Sequence, residues 1–451
     1  MSMKPPSFLE LLNLEGSLDR VSEAKFRAVA HLLEEVRDQP EVHAMLDRMR
    51  SRLRRVRPER KPNLQRLFYR PFEDLLVDEP TGAPDGRIVR DAAWLAWNYV
   101  LTQSDENERR ILATMEARLR SITPGDTQAQ AVMSRRLWPS TATLLDDALV
   151  LASTNKTVRF LLVGDEVEYL DDIRQLVRML QVAEDIQLLK DTLPARPIRG
   201  LMNSQLALVR QTVALGHSGR PDRAYAIMLS VLMRMSLPAE FLRRTIHLNF
   251  DLPDTAKTML YARLGRTVLI DLEKRALMIN AMQAEELPRR VDLAQTLIDE
   301  LSSASRVLRD SDMETRERLS RLGKIAEEVV SGLVETAWRQ VSEAIKTGTS
   351  APLEDLVRTE AAILALRKCA GFAGEVGLVE VVQDMISALV ADLHEKVAIQ
   401  FGHLNSSRSS PADLDRVEAE MYWSIRTLEL TGRAAEAEQI RQDYLRRRAA
   451  V

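Results

Sequence analysis

Metal and catalytic sites in proteins are built mostly from histidine, cysteine and carboxylate side chains that lie close together. No two of the six histidines in this chain stand three or four residues apart, so no helix presents two imidazoles on one face. His394-Glu395 begins like the helix of a zinc protease, but Ala398 stands where that helix needs its second histidine. The single cysteine, Cys369, excludes an internal disulfide and a zinc site built from several thiolates. We therefore expect no metal site, no cofactor and no catalytic residue.

Two pairs of adjacent aspartates are the remaining candidates for chemistry, Asp146-Asp147 and Asp171-Asp172. Helical enzymes that hold diphosphates through magnesium need aspartates three or four residues apart, and the four residues after Asp147 are all apolar. Adjacent acids at the start of a helix more simply complement its dipole. Phosphate-binding loops and a GxSxG nucleophile motif are missing. An enzyme with dispersed residues stays an alternative, and a pocket lined by Asp147 and Asp171 would support it.

The strongest local charge is basic and lies in residues 48–70. Glu59 is the only acid there, against ten cations: Arg48, Arg50, Arg52, Arg54, Arg55, Arg57, Arg60, Lys61, Arg66 and Arg70. On a helix that opens at Pro40 and reaches Val56, one apolar stripe would form, and most arginines would point elsewhere. The stripe consists of Val42, Met45, Leu46, Met49, Leu53 and Val56.

Two interpretations of this basic region follow. It can dock on anionic lipid, nucleic-acid phosphates or an acidic protein surface. The residues that we expect to contact such a partner are Arg48, Arg52, Arg54, Arg55, Arg57, Arg60 and Lys61. The simpler interpretation is a solvated helix whose apolar side packs on its own domain. In that case the acids of residues 73–85 fold back and neutralise the charge.

Aromatic residues concentrate in two places, although they make up only 5% of the chain. Phe68, Tyr69 and Phe72 flank Pro71, and Trp94 and Trp97 lie in a predicted helix that ends near residue 103. Both groups offer a partner groove or, for the first group, a surface on which bases stack. Aromatic side chains beside a proline or on one helix face more often belong to a core, and we favour that interpretation.

Composition and charge bound the class of protein. The chain has 451 residues, of which 29% are charged and 45% hydrophobic, values typical of a folded globular protein. Arginine outnumbers lysine by 52 to 11, which we interpret as the bias of a GC-rich bacterial genome. The first 20 residues lack the apolar core of a signal peptide, and no apolar stretch approaches the roughly 20 residues of a membrane span. With one cysteine, these features predict a cytoplasmic protein without a transmembrane segment.

Hydrophobic residues recur with the helical period almost everywhere. The clearest case is residues 313–346, where apolar positions form one stripe and acids precede arginines by four residues. Pro221 opens a second predicted helix, which Pro238 stops, and Pro411 opens a third that reaches Leu430. The sequence therefore predicts an all-α fold, either a multi-helix bundle or an irregular α-solenoid of antiparallel helical hairpins.

Prolines and turn signals suggest the domain boundaries. We predict an N-terminal helical unit at 1–57, a proline-rich irregular connection at 58–86, and helical domains at 87–250 and 251–451. Two segments, Gly219-Arg220-Pro221-Asp222-Arg223-Ala224 and Gly432-Arg433-Ala434-Ala435-Glu436-Ala437, each place a turn glycine five residues before a small alanine. This spacing resembles the turn of tetratricopeptide-type hairpins, although no 34-residue period links the two.

The absence of catalytic motifs together with long amphipathic helices predicts a non-enzymatic scaffold or adaptor. We expect it to bind protein partners, including a second copy of itself. Binding of nucleic acid or acidic lipid through the basic region is the first alternative, and a helical enzyme is the second.

Overall fold

The computed structural model describes residues 21–35, 42, 45–46, 49, 62–78, 86–122, 126–283, 286–348, 353–404 and 411–448. Helices dominate these residues, and the only strands among them form one pair of two residues each, so the all-α prediction is confirmed. The helices are α1 (Glu23–Glu35), α2 (Leu64–Tyr69), α3 (Arg90–Gln103), α4 (Glu106–Ser121), α5 (Thr127–Ala152), α6 (Lys156–Val163), α7 (Tyr169–Gln181), α8 (Ala183–Thr192), α9 (Asn203–Gly216), α10 (Pro221–Leu232), α11 (Pro238–Thr245), α12 (Asp254–Ala281), α13 (Leu287–Val307), α14 (Met313–Thr347), α15 (Leu353–Phe372), α16 (Val379–Leu404), α17 (Pro411–Leu430) and α18 (Ala434–Arg448).

The chain divides into two compact units. The first contains the described residues of 1–68 and 105–137, and the second contains those of 69–104 and 138–451. In the first unit, the α1 side chains Phe26 and Leu33 form a buried core with Met45 and its neighbours Val42, Leu46 and Met49. The predicted apolar stripe of residues 42–49 is therefore buried within its own unit at these four positions.

The longest helix, α14, has 35 residues and spans about 52 Å at 1.5 Å per residue. It begins where Asp312 accepts a hydrogen bond from the backbone N–H of Thr315 at 2.8 Å, and it ends at Gly348, whose φ is +65°. The predicted helix over 313–346 is confirmed. In the second unit α14 packs on α12, α13, α15 and α16, so its buried stripe forms the centre of a bundle.

Both predicted glycine turns join helices into hairpins. Gly219 has a φ of +75° between α9 and α10, and Gly432 has a φ of +93° between α17 and α18. The alanine five residues later, Ala224 or Ala437, is fully buried in each case. In each hairpin the two helices pack against each other, as the small residue allows.

The connection at 58–86 contains regular structure where it is described. Helix α2 starts behind Asn63, whose side chain accepts a hydrogen bond from the N–H of Arg66 at 2.8 Å. A 3-10 turn (Glu73–Leu75) and strand β1 (Leu76–Val77) follow, and β1 pairs in parallel with β2 (Ile88–Val89). Pro62 and Pro71 flank α2 and leave its helical hydrogen bonds intact. The number of prolines in 58–86 predicted irregular structure, but a helix forms between two of them because both stand outside its ends.

Pro238 does not stop the helix that Pro221 opens, contrary to the prediction. Helix α10 ends at Leu232, and Pro238 is the first residue of α11, where its missing N–H costs nothing. Among the described residues, no helix combines the length and apolarity needed to cross a membrane.

Candidate functional site

A cleft of about 1000 Å³ opens in the second unit. We call it the arginine cleft, because six arginines line it: Arg174, Arg178, Arg220, Arg223, Arg263 and Arg266. Three aspartates accompany them, Asp146, Asp222 and Asp312. Cations therefore outnumber anions by two to one in a chain whose net charge is −3. The cleft concentrates positive charge that the whole chain lacks.

Helix α7 supplies one wall. Arg174, Val177, Arg178 and Gln181 face the cleft at steps of three and four residues, which places them on one side of the helix. The opposite side of α7 is buried in the bundle. This division fixes how the helix is turned, and the arginines are left on the open side.

Helix α12 supplies the second wall through its first three turns. Met259, Arg263 and Arg266 line the cleft at the same helical steps, whereas Leu264 and Val268 are buried on the other side. Helices α7 and α12 both pack against α10. The start of α10 therefore lies where the two walls meet.

The turn before α10 forms one end of the cleft. The backbone N–H of Gly219 donates to Nδ1 of His217 at 2.9 Å, and the positive φ of Gly219 reverses the chain. Arg220 is the N-cap residue of α10, and Pro221 is its first residue. The positive end of the α10 dipole thus adds to the charge of the arginines.

Asp222 is the electrostatic centre of the cleft. Its carboxylate lies 3.1 Å from Nη1 of Arg263 and 3.8 Å from Nε of Arg178, so two guanidinium groups share one carboxylate. Burial lowers the pKa of Arg178, and the nearby charge of Arg263 lowers it further, against the opposing effect of Asp222. The Arg263 guanidinium also lies 3.8 Å from the centre of the Tyr225 ring, which holds it in place.

Gln175 completes the environment of Arg263. Nη2 of Arg263 donates to Oε1 of Gln175 at 3.4 Å, and Gln175 is only 5% exposed. Arg263 is therefore fixed from three sides, by a carboxylate, an aromatic ring and an amide. A guanidinium held in this way is pre-organised to receive an anion, because little side-chain entropy is lost on binding.

The cleft offers several cations to an anion, and its acids stand apart from one another. The three lining aspartates come from separate parts of the chain; Asp222 pairs with arginines, and Asp312 caps the start of α14. Across the described residues, no group of three or more histidine, cysteine, aspartate or glutamate side chains is placed to hold a metal ion. Cys369 is buried, which raises the pKa of its thiol to about 12, and it belongs to the core.

The predicted anion-binding residues are not those of the cleft. Arg48, Arg52, Arg54, Arg55, Arg57, Arg60 and Lys61 all lie outside the described residues. The cleft arginines were missed because they are spread from residue 174 to residue 266. The only local signals are the pairs Arg174/Arg178, Arg220/Arg223 and Arg263/Arg266, and pairs of this kind carry little information in an arginine-rich chain.

Two of the acids that follow the basic region, Asp74 and Asp78, pair with cations elsewhere in the described part of the chain. Asp74 lies 3.1 Å from Lys190 and 3.0 Å from Arg196, and Asp78 lies 2.5 Å from Arg90. Burial alone would raise the pKa of Asp74, but the two cations lower it below its usual value. Asp74 therefore joins the 3-10 turn to α8 and the segment that follows α8.

The predicted aromatic residues mostly belong to cores. Phe68 and Phe72 are fully buried and Trp97 is 5% exposed, so none of the three offers a surface to a partner. Tyr69 is half-buried and packs edge-on against Phe72, with ring centres 5.7 Å apart. Trp94 is 52% exposed and is the one residue of this set that presents a wide surface.

The adjacent aspartates Asp146-Asp147 and Asp171-Asp172 also have different surroundings. Asp146 lines the arginine cleft, whereas Asp147 and Asp171 are not among its lining residues. Asp171 pairs with Arg174. Asp172 is 9% exposed and accepts a hydrogen bond from the backbone of Val89. Burial raises the pKa of Asp172 to about 6, and the charge of Asp171 raises it as well, against that hydrogen bond.

Comparison with known proteins yields no relative: no family model, no curated protein and no solved structure matches this chain. The function must therefore be argued from the arginine cleft itself.

Proposed function

We propose that this chain is a helical adaptor whose arginine cleft binds an acidic segment of a protein partner. One observation carries the proposal: inside the cleft, Arg178 and Arg263 share the single carboxylate of Asp222. The excess of positive charge at this point is balanced when the partner supplies a second carboxylate. Arginine suits that role, because its planar guanidinium forms paired hydrogen bonds with a carboxylate.

Apolar side chains between the arginines favour a protein over nucleic acid. Val150 and Met259 line the cleft and are 69% and 72% exposed. A nucleic-acid backbone brings phosphates to such a surface but no apolar groups that would cover these two side chains. Interface cores combine arginine with methionine and other apolar residues in this manner.

The size of the cleft supports a segment of chain as the ligand. Its volume of about 1000 Å³ lies at the upper end of the range in which pockets bind small molecules. The residues that line the cleft come from several helices, so one ligand can contact more than one helix face. A partner with several acidic side chains can therefore engage more than one arginine pair at once.

Binding of a fluorescein-labelled peptide of ten glutamates to the full chain tests the proposal by anisotropy. We expect saturable binding that weakens as salt is raised. Changing both Arg178→Gln and Arg263→Gln should weaken it at least tenfold, since each substitution removes a charge that faces the ligand. Absence of binding at low salt, or equal binding by the double variant, would contradict the proposal.

Arg318→Gln provides the matched control. The Arg318 side chain is 31% exposed, like the 30% of Arg178 and Arg263, and it also pairs with one carboxylate, Glu273 at 3.1 Å. It does not line the cleft. The control variant should bind the peptide as the unchanged chain does, and circular dichroism should show that all variants remain folded.

A further inference from the structure

We infer that the segment bound in the arginine cleft is an amphipathic α-helix, with acidic side chains flanking an apolar stripe. This inference rests on the proposed function and specifies the partner that the same cleft receives. It follows from the spacing of the lining residues, from the exposed apolar side chains and from the absence of a strand edge among the described residues that line the cleft.

The spacing of the walls matches that of a helix. The side chains that α5, α7 and α12 present follow one another at three- and four-residue steps, as in Asp146, Leu149 and Val150 on α5. Such rows form the ridges and grooves through which helices pack on one another. The row on α12 runs from Thr255 to Arg266, a length of about 16 Å, or three turns of a helix laid beside it.

Apolar residues and arginines alternate around this space. Arg174 and Arg178 stand on the α7 wall and Arg263 and Arg266 on the α12 wall, whereas Val150 and Met259 expose apolar surface to the same cleft. A helix that lies in it would turn its apolar stripe to these two side chains. Its flanking acids would then face the arginines of both walls.

The backbone of the cleft favours a helical ligand over an extended one. The lining residues belong to helices, to the turn at 217–220 or, for Asp312, to the N-cap of α14, and helices use their N–H and C=O groups internally. Among these described residues an extended peptide finds no strand edge with which to pair its own backbone, and burying unpaired backbone groups is costly. A helix satisfies its backbone before it binds.

Two labelled 16-residue peptides of identical composition and charge separate this inference from the proposed function. In the first, leucines fall on one helical stripe with glutamates on both flanks. In the second, the same residues are shuffled so that the leucines surround the helix. We expect the full chain to bind the striped peptide at least tenfold more tightly, with a gain of helical circular dichroism on binding.

Substitutions on the apolar side of the cleft extend the test. Changing both Val150→Ser and Met259→Ser should weaken binding of the striped peptide at least fivefold. Binding of the ten-glutamate peptide should be unaffected. Val132→Ser with Leu277→Ser is a matched control, because these side chains are 62% and 63% exposed and do not line the cleft. The control should leave the affinity for both peptides unchanged.

The outcomes are distinct. If the ten-glutamate peptide binds and the striped and shuffled peptides bind equally, the helical ligand is wrong and the adaptor proposal stands. If the ten-glutamate peptide does not bind, the adaptor proposal is wrong, and the helical ligand, which rests on it, falls with it. If a single-stranded oligonucleotide of equal charge displaces the striped peptide at a lower concentration than unlabelled striped peptide does, the partner is nucleic acid and both are overturned.

Discussion

Two carboxylates of the second unit lie beside the first turn of a helix, Glu300 at the start of α11 and Asp222 at the start of α10, and their surroundings are opposite. Glu300 of α13 is 1% exposed and accepts hydrogen bonds from the N–H groups of Ala239 at 2.7 Å and Glu240 at 3.1 Å, in the first turn of α11. The Asp222 side chain is 62% exposed and stands between two arginines. Both carboxylate oxygens of Glu300 accept hydrogen bonds inside the fold, whereas Asp222 is one anion between two cations. Buried, satisfied charge of the first kind holds elements together, and exposed, mismatched charge of the second kind is suited to a ligand.

The largest expected effect breaks the buried side of this comparison. Glu300→Ala leaves two N–H groups of α11 without their acceptor, and we expect it to lower the free energy of unfolding by about 3 kcal/mol. Urea unfolding measures the loss. Glu300→Gln keeps one acceptor oxygen and should lose less. A Glu300→Ala variant as stable as the unchanged chain would show that this contact does not hold α11 on α13.

Asp172 is intermediate, because it is buried like Glu300 but has an acidic neighbour. Since the folded chain raises its pKa to about 6 from an ordinary 3.8, the folded state binds more protons than the unfolded state between these values. The contribution of Asp172 to the free energy of unfolding is therefore complete below about pH 4 and is lost as the pH rises through about 6. Between pH 4 and pH 7, the free energy of unfolding should fall by about 2 kcal/mol relative to Asp172→Asn.

Asp74 gives the opposite sign and serves as the control for this titration. Its pKa is lowered in the folded chain, so its contribution is present above its ordinary pKa and is lost as the pH falls. Urea unfolding of Asp74→Asn across the same pH range should therefore show the difference from the unchanged chain growing as the pH rises. Parallel pH profiles for both variants would contradict the assignment of these two groups.

Asp222→Asn sharpens the exposed side of the comparison. It removes the one carboxylate shared by Arg178 and Arg263, so we expect the ten-glutamate peptide to bind about fivefold more tightly. Because Asp222 is exposed in the first turn of α10, the cost in stability should be only about 0.5 kcal/mol. Anisotropy and urea unfolding measure the two effects. Weaker binding by this variant would mean that Asp222 itself contacts the ligand favourably.

The smallest expected effect comes from Arg220, at the end of the cleft. Its side chain is exposed and makes no cap hydrogen bond, so Arg220→Ala should leave the urea midpoint unchanged. The loss of one charge from the end of the cleft should weaken binding of the ten-glutamate peptide about twofold, which is measured as a shift of the anisotropy midpoint. A tenfold loss would instead place Arg220 among the central contacts of the ligand.

Much of the fold was predictable because it depends on local pattern. The periodicity of residues 313–346 and the glycines at 219 and 432 identified α14 and two hairpins, since helix period and turn conformation are set by nearby residues. Helix α2 was missed, although Asn63 stands at its start, because the prolines around it suggested irregular structure. The strand pair β1–β2 was missed as well, since two-residue strands have no periodicity that a sequence can show.

The cleft was not predictable for a different reason. Asp222 and Arg178 are 44 positions apart, and Arg263 is a further 41 positions along, so their meeting depends on how α7, α10 and α12 pack. No local rule encodes that arrangement. The sequence did mark Gly219 to Ala224 as a helical turn, but as a feature of fold and not as the end of a binding site.

Gly86, just before β2, lies beside Tyr225 and Leu229 of α10, and these contacts restrict which residues can stand at position 86. It has a φ of +83°, and a Cβ atom built there would lie 3.0 Å from the Tyr225 hydroxyl and 3.0 Å from Cδ1 of Leu229. Tyr225 is the ring against which the Arg263 guanidinium rests. A methyl group at position 86 would make a tight contact with the Tyr225 hydroxyl, which would have to shift by a few tenths of an ångström. The missing side chain at position 86 thus leaves room for the ring that supports the Arg263 guanidinium.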